Sequence, residues 1–346
     1  MKLGMFLRMS GAKPRLEMDV VLEAERLGFD SVWTGEAYST DAVTPIAWVL
    51  ARTTKIKAGT SIMQIPARTP ACAAMTTMTL QALSGNRFLC GVGVSGPQVV
   101  EGWHGVRFGK PMPRTKEYIA IIKKILAREA PLTFDGEEYQ IPYKGPDSTG
   151  LGRPLKSIMH ADPNVPFYTA AITPAGLRTA GECADGTLPI WMSPEQPKTL
   201  TDSIIEGRKR AGKPADLTGF DMAPYVRVRM GDDLQACRDS IRPDLALYIG
   251  GMGARSKNYY NDLTRRLGYE EAAVKIQDLY LAGSKKEAEA LVPDALIDEV
   301  CLVGSADRIR DRLGAWKQAG KEGQVGSMLL NGASVEAMRV IAEAML

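Results

Sequence analysis

Histidine and closely paired cysteine are nearly missing from this chain. Its 346 residues hold two histidines, His104 and His160, and five scattered cysteines, Cys72, Cys90, Cys183, Cys237 and Cys301, with no CxxC spacing. A zinc centre needs clustered Cys or His ligands, so no metal is expected. The same scarcity, together with the lack of a GxSxG elbow, removes a Ser-His-Asp hydrolase. Blocks of like charge are missing too: 43 Lys and Arg face 40 Asp and Glu, a net of +3, and no five like charges run together. A polyanion-binding surface is therefore not expected, and nucleic acid is not an expected partner. No run approaches the ~18 apolar residues of a membrane span, and Met1-Lys2-Leu3-Gly4-Met5-Phe6-Leu7-Arg8 is broken too early for a signal-peptide core. The expectation is a cytoplasmic protein without membrane contact, whose chemistry rests on a bound cofactor acting on a small-molecule substrate.

What is present is alternation. A strand-like stretch at 2–7 is followed by Val20, Val21, Ala24 and Leu27 on one helical face. Strand 31–36, helix 41–53, strand 55–64, helix 70–83 and strand 87–94 repeat the pattern. Tyr118, Ile121, Ile122, Ile125 and Leu126 then make a stripe at helical spacing that must be buried. The segment 132–141 alternates around Asp135-Gly136 and reads as an inserted β-hairpin; 145–154 reads as loop. Strand 165–172, helix 174–184, strand 187–192, helix 194–211 and strand 221–230 follow. A mostly helical insertion spans 232–292, interrupted by Gly250-Gly251-Met252-Gly253. A helix from Ser305 to Gln318, with Ile309, Leu313 and Trp316 inward, precedes an eighth strand at 325–330 and a C-terminal helix. Eight strands alternating with helices predict parallel pairing and a (β/α)8 TIM barrel, an α/β fold, as a single domain over 1–346.

In such a barrel the chemistry lies on the loops after the strands. Glu36 ends strand two, where a carboxylate either handles a proton, orients a cofactor ring, or simply favours a helix start. Gly91-Val92-Gly93-Val94-Ser95-Gly96 formally matches GxGxxG, but Glu117, about twenty positions on, falls inside the helical stripe rather than at a strand end. That rejects the dinucleotide-binding fold and leaves glycines that admit a flat ligand or close backbone packing. His104, in the loop after strand four beside Glu101 and Trp103, is the best-sited titratable base, with a structural histidine as the plain alternative. Thr173 is placed to cap the helix after strand five, next to free N–H groups suited to a phosphate. Trp191 and Met192, ending strand six, wall a pocket or line the core.

In their order and spacing, 31–36 with Asp41, 59–64, 87–105, 165–171 continuing to Asp185-Gly186, and Leu302-Val303-Gly304 resemble the bacterial luciferase-like superfamily, and within it the branch that uses the deazaflavin coenzyme F420. The resemblance implies a non-prolyl cis peptide between Ser61 and Ile62 behind the deazaflavin ring. It implies that Gln64, Ser95 and Gly96 line the ring or its ribityl chain, that Ala171, Ile172 and Thr173 receive the phosphate, and that Glu36 lies near the ring as a catalytic carboxylate. Sugar-phosphate dehydrogenases of this branch carry a histidine where this chain has Ala37 and an acid where it has Gly96, so that activity is not expected. His104 or Glu101 then stands in as the proton carrier. The implied activity is hydride transfer between C5 of F420 and an alcohol, carbonyl or activated double bond. The alternatives are an FMN-dependent monooxygenase and a flavin-binding protein without turnover. The resemblance further implies a homodimer through the early helices, where Ala71, Ala73 and Ala74 permit close packing. The 232–292 insertion would form a lid, with Gly250 to Gly253 as its hinge or a surface turn.

Overall fold

The computed structural model describes residues 1–9 and 12–346. Eight strands, Lys2–Phe6, Ser31–Thr34, Lys57–Thr60, Phe88–Gly93, Phe167–Thr169, Gly186–Thr187, Tyr225–Met230 and Ser327–Asn331, run parallel. The eighth pairs with the seventh (Tyr225 opposite Leu329) and with the first (Lys2 opposite Ser327). Strand six pairs with the short strand Asp221–Met222, Gly186 opposite Asp221, and a bridge between Ile190 and Tyr225 joins it to strand seven. The ring is therefore closed, the expected (β/α)8 barrel, and its strands open on one mouth at their C-terminal ends.

The helices form as their patterns dictate. Pro111–Ala127 buries Tyr118, Ile121, Ile122 and Leu126. Ser305 caps Ala306–Lys321 by accepting from the Arg308 N–H, and Ile309, Leu313 and Trp316 are fully buried beneath it. The inserted hairpin is real but short, Phe134–Asp135 against Gln140–Ile141. Its tip is held by the Glu117 carboxylate, which accepts from the N–H groups of Glu137, Glu138 and Tyr139 at 2.7–2.9 Å. Ala73 and Ala74 are fully buried within this one chain, so their small size serves packing onto the barrel.

Several boundaries differ from the sequence expectation. Strand three stops at Thr60, and only Met63–Gln64 rejoins the sheet, beside Val92 and Gly93. Strand six shrinks because Pro189 has no N–H for the ladder. A ninth strand, Cys301–Gly304, lies beside the upper half of strand seven, with Arg227 opposite Cys301. The insertion is helical over Leu234–Asp239, Arg242–Ala246, Tyr259–Arg266, Glu270–Leu281 and Lys285–Ala290. The run Gly250 to Gly253 is half helix and half bend, with Met252 at the surface, and Gly250 and Gly251 are packed inward. They end a π-helical turn, Leu247–Gly251, and a Cβ on either would sit 2.4 Å from Tyr280. The insertion is fastened to the end of strand six by Trp191, Tyr248 and Tyr260, whose ring centroids lie 4.7–6.0 Å apart in edge-on contacts.

Candidate active site

The mouth is built outward from strand three. The Ser61–Ile62 peptide bond is cis, as the resemblance implied. Below it, on the lumen face of strand seven, Tyr225 packs edge-on against Phe6 at 5.1 Å and donates its hydroxyl hydrogen bond to Ser61 Oγ. Burial pushes the Tyr225 phenol well above its usual range, so it stays a neutral donor. Two glycines make the space this segment occupies. A Cβ on Gly35 would lie 2.4 Å from the Ser61 carbonyl oxygen, and one on Gly93 would lie 2.7 Å from Ile62 Cγ1. Both side chains being absent, the 61–62 segment sits as a shelf after strand three, its Ser61 carbonyl against Gly35 and its Ile62 side chain against Gly93.

Beside the shelf runs one continuous polar chain. Glu36 accepts from the N–H groups of Ala42 at 2.9 Å and Gln64 at 2.8 Å. It is also gripped by Arg68, which donates to both carboxylate oxygens, Nη2 to Oε2 at 3.1 Å. The Glu36 side chain is 7% exposed. Burial alone would lower the Arg68 pKa, but the hydrogen bond and charge of Glu36 outweigh it and hold it above its ordinary value. Gln64 donates through Nε2 to the carbonyls of Glu36 and Ala37, both at 2.9 Å, and its Oε1 lies 2.7 Å from His104 Nε2.

This arrangement gives Glu36 and Gln64 bracing contacts that the sequence did not show. Both Glu36 oxygens are already engaged, by the Ala42 and Gln64 N–H groups and by Arg68. Gln64 is 1% exposed, and every polar atom of its side chain is bonded inside the protein. The structure does bring Glu36, Gln64 and His104 together, through contacts that no local pattern announces. The Gln64 amide nitrogen is committed to two carbonyls, so its Oε1 must accept. His104 therefore carries a hydrogen on Nε2, which leaves Nδ1 outside this hydrogen bond.

The remaining predicted residues follow strands four and five. Ser95 has a left-handed backbone, φ 59°, and Gly96 opens the short helix Pro97–Gly102; both are half-buried. Ala171, Ile172 and Thr173 are half-buried after strand five. Thr173 caps Pro174–Cys183 by accepting from the Gly176 N–H at 3.1 Å. Sequence reasoning missed Arg68, Tyr225 and Arg266. Arg266, reaching over from the insertion, donates to the carbonyls of Ile172 at 2.5 Å and Thr199 at 3.0 Å and so steadies the loop after strand five. No spacing rule would have found Arg266, which is 94 residues from Ile172.

Comparison with known proteins agrees with this architecture. The luciferase-like monooxygenase family description matches residues 1–323, and the chain belongs to that family. A Mycobacterium tuberculosis protein, provisionally named a coenzyme F420-dependent oxidoreductase, is 41% identical over 344 residues, 99% of this chain and 98% of that one. Among solved structures, the F420-dependent tetrahydromethanopterin reductase of Methanopyrus kandleri superposes with a TM-score of 0.78 at 22% identity, covering 99% of this chain and 97% of that one. An F420-dependent secondary alcohol dehydrogenase superposes at 0.75 and 19% identity, covering 99% and 98%. At those identities the two superpositions speak for the fold.

Proposed function

We propose that the chain is an oxidoreductase that transfers hydride between C5 of coenzyme F420 and a small organic substrate, an alcohol, a carbonyl or an activated double bond. The observation that carries this reading is the Ser61–Ile62 shelf. It sits after strand three between Gly35 and Gly93, where added side chains would collide with it, and it offers a flat ring a surface to lie against. The 41% identical mycobacterial relative, matched along nearly its whole length, supports F420 as the ring.

In this reading Ser61, Ile62, Ser95 and Gly96 hold the ring and its side chain, and Ala171, Ile172 and Thr173 hold the phosphate at a capped helix start. The bound deazaflavin supplies the hydride. The chain's own residues do the rest. Tyr225 fixes Ser61 from below. Glu36 and Arg68 brace the loops after strands two and three. Gln64 holds the His104 ring with its hydrogen on Nε2, so Nδ1 can take the proton of a substrate hydroxyl as the alcohol is oxidised and return it in the reverse direction. The insertion, fastened at Trp191, Tyr248 and Tyr260, covers one side of the mouth and limits water.

Exposed Trp48, Met75 and Leu83 on the second and third helices support a homodimer through that face. All five cysteines are free thiols, which supports a reducing, cytoplasmic setting. The test is turnover. With reduced F420 and a panel of ketones, aldehydes and activated alkenes, at least one compound is expected to restore the oxidised cofactor's absorbance without oxygen uptake. Oxygen consumption with reduced FMN, and none of the first signal, would overturn the reading.

A further inference from the structure

Strand seven carries more than Tyr225 on its lumen face. Side chains alternate along a strand, so Tyr225, Arg227 and Arg229 share one face while Val226 and Val228 are fully buried on the other. Tyr225 fixes that face as inward by its contacts with Phe6 and Ser61. At about 3.3 Å per residue, Arg227 and Arg229 stand roughly 7 and 13 Å further toward the mouth.

Their charge is not balanced. Asp244 pairs with Arg227 at 2.6 Å and reaches Arg8, at the end of strand one, at 3.8 Å. Arg229 has no carboxylate partner among the described residues. Its Nη1 donates to the carbonyls of Val228 at 2.8 Å and Gly332 at 2.6 Å, and among the described residues Nε and Nη2 have no acceptor. Three guanidinium groups thus gather where one carboxylate pairs with only two of them. Burial, with the neighbouring Arg227 charge adding to it, lowers the Arg229 pKa from its ordinary value, a sign of a partly desolvated cation. A half-buried guanidinium held by carbonyls alone is costly unless an anion completes it.

Position says whose anion this is. In a ring of eight, strand eight, which ends beside Gly332, stands opposite strand four, and strand one, which ends beside Arg8, stands opposite strand five. The cofactor residues argued above follow strands three, four and five. The arginines occupy the facing rim.

We propose that Arg229, with Arg227 and Arg8, forms an oxyanion site for the substrate, so that the molecule exchanging hydride carries a carboxylate or a phosphate monoester. This rests on the hydride-transfer reading for the identity of the bound molecule, and on the arginine geometry for the site itself. The planar guanidinium fork suits either group through paired N–H donors.

The probes are propionate and inorganic phosphate, titrated calorimetrically into wild-type protein with and without saturating F420. Saturable binding of one of them is expected, the tighter probe identifying the anion. Arg229→Gln should weaken it by about tenfold or more, the loss of one charge-assisted hydrogen bond, with F420 affinity unchanged within about twofold. Arg8→Gln, at a side chain 58% exposed, leaves the fold untouched and should weaken it by about threefold. That variant carries the test should Arg229→Gln fail to fold. Absence of saturation by both probes at about 10 mM, or equal binding in wild type and variants, overturns the site. A fall in F420 affinity in Arg229→Gln, with the probes competing against F420, also overturns it, because the anion would then be the cofactor's own tail. Arginine-dependent probe binding in a protein that rejects F420 would uphold the site and overturn only the cofactor reading.

Discussion

Arg68→Met is expected to cost about 3 kcal/mol of stability and to abolish tight F420 binding in the same stroke. Removing one partner of a buried ion pair leaves the other charge buried and uncompensated, which is far worse than losing the pair as a whole. The Glu36 carboxylate, 7% exposed, would keep only the Ala42 and Gln64 N–H groups as donors. The loop after strand two and the start of Met63–Gln64 would lose their common anchor, and the shelf lies between them. Joining Glu36→Gln to Arg68→Met should recover much of the stability, giving a coupling of about 2 kcal/mol or more in a double-mutant cycle read by urea unfolding. The cycle also separates bracing from chemistry. A bracing Glu36 loses stability and cofactor binding together in Glu36→Gln. A proton-transferring Glu36 would leave both intact and remove only turnover.

Gly35→Ala should damage the site with smaller effect on the barrel. The added methyl would lie 2.4 Å from the Ser61 carbonyl oxygen, and a backbone atom in a packed strand end has no rotamer to escape into. Overpacking of this kind costs about 2 kcal/mol, which, directed at the shelf, corresponds to a loss of cofactor affinity on the order of 30-fold. Gly102→Ala is the matched control, because a Cβ there meets nothing within 4 Å. Its F420 affinity and thermal midpoint should equal those of the wild type. Equal affinity in Gly35→Ala and wild type would mean that the cofactor does not rest on this segment.

The barrel was legible in the sequence because its information is periodic. Strand and helix patterns, the Thr173 and Ser305 caps and the stripe from Tyr118 to Leu126 depend on neighbours a few residues away. Cys301–Gly304 was not read as a strand, since four apolar residues between two helices carry no period of their own. They become a strand only because the upper half of strand seven offers an unpaired edge. The need for glycine at 250 and 251 was not legible for a related reason: it is set by Tyr280, thirty and twenty-nine residues away.

The site was legible in its location more than in its roles. Glu36 was marked by ending a strand, His104 by following one and Gln64 by the family resemblance, and they do meet. What each does depends on Arg68, on the Glu36 and Ala37 carbonyls and on burial, none of which strand position reports. Arg227 and Arg229 were available to a period-two reading of Tyr225-Val226-Arg227-Val228-Arg229. Three polar residues alternating with buried valines on a barrel strand place cations inside the ring, and that pattern was the signal to follow.

Cofactor choice is the claim on which the rest depends, and a paired titration decides it. Purified protein titrated with F420 and, separately, with FMN, followed by cofactor fluorescence and binding heat, should bind F420 saturably and FMN far more weakly. Preference for FMN would contradict the account and turn the same shelf toward oxygen chemistry. Binding of neither would mean that Ser61, Ser95 and Thr173 do not form the cofactor site assigned to them.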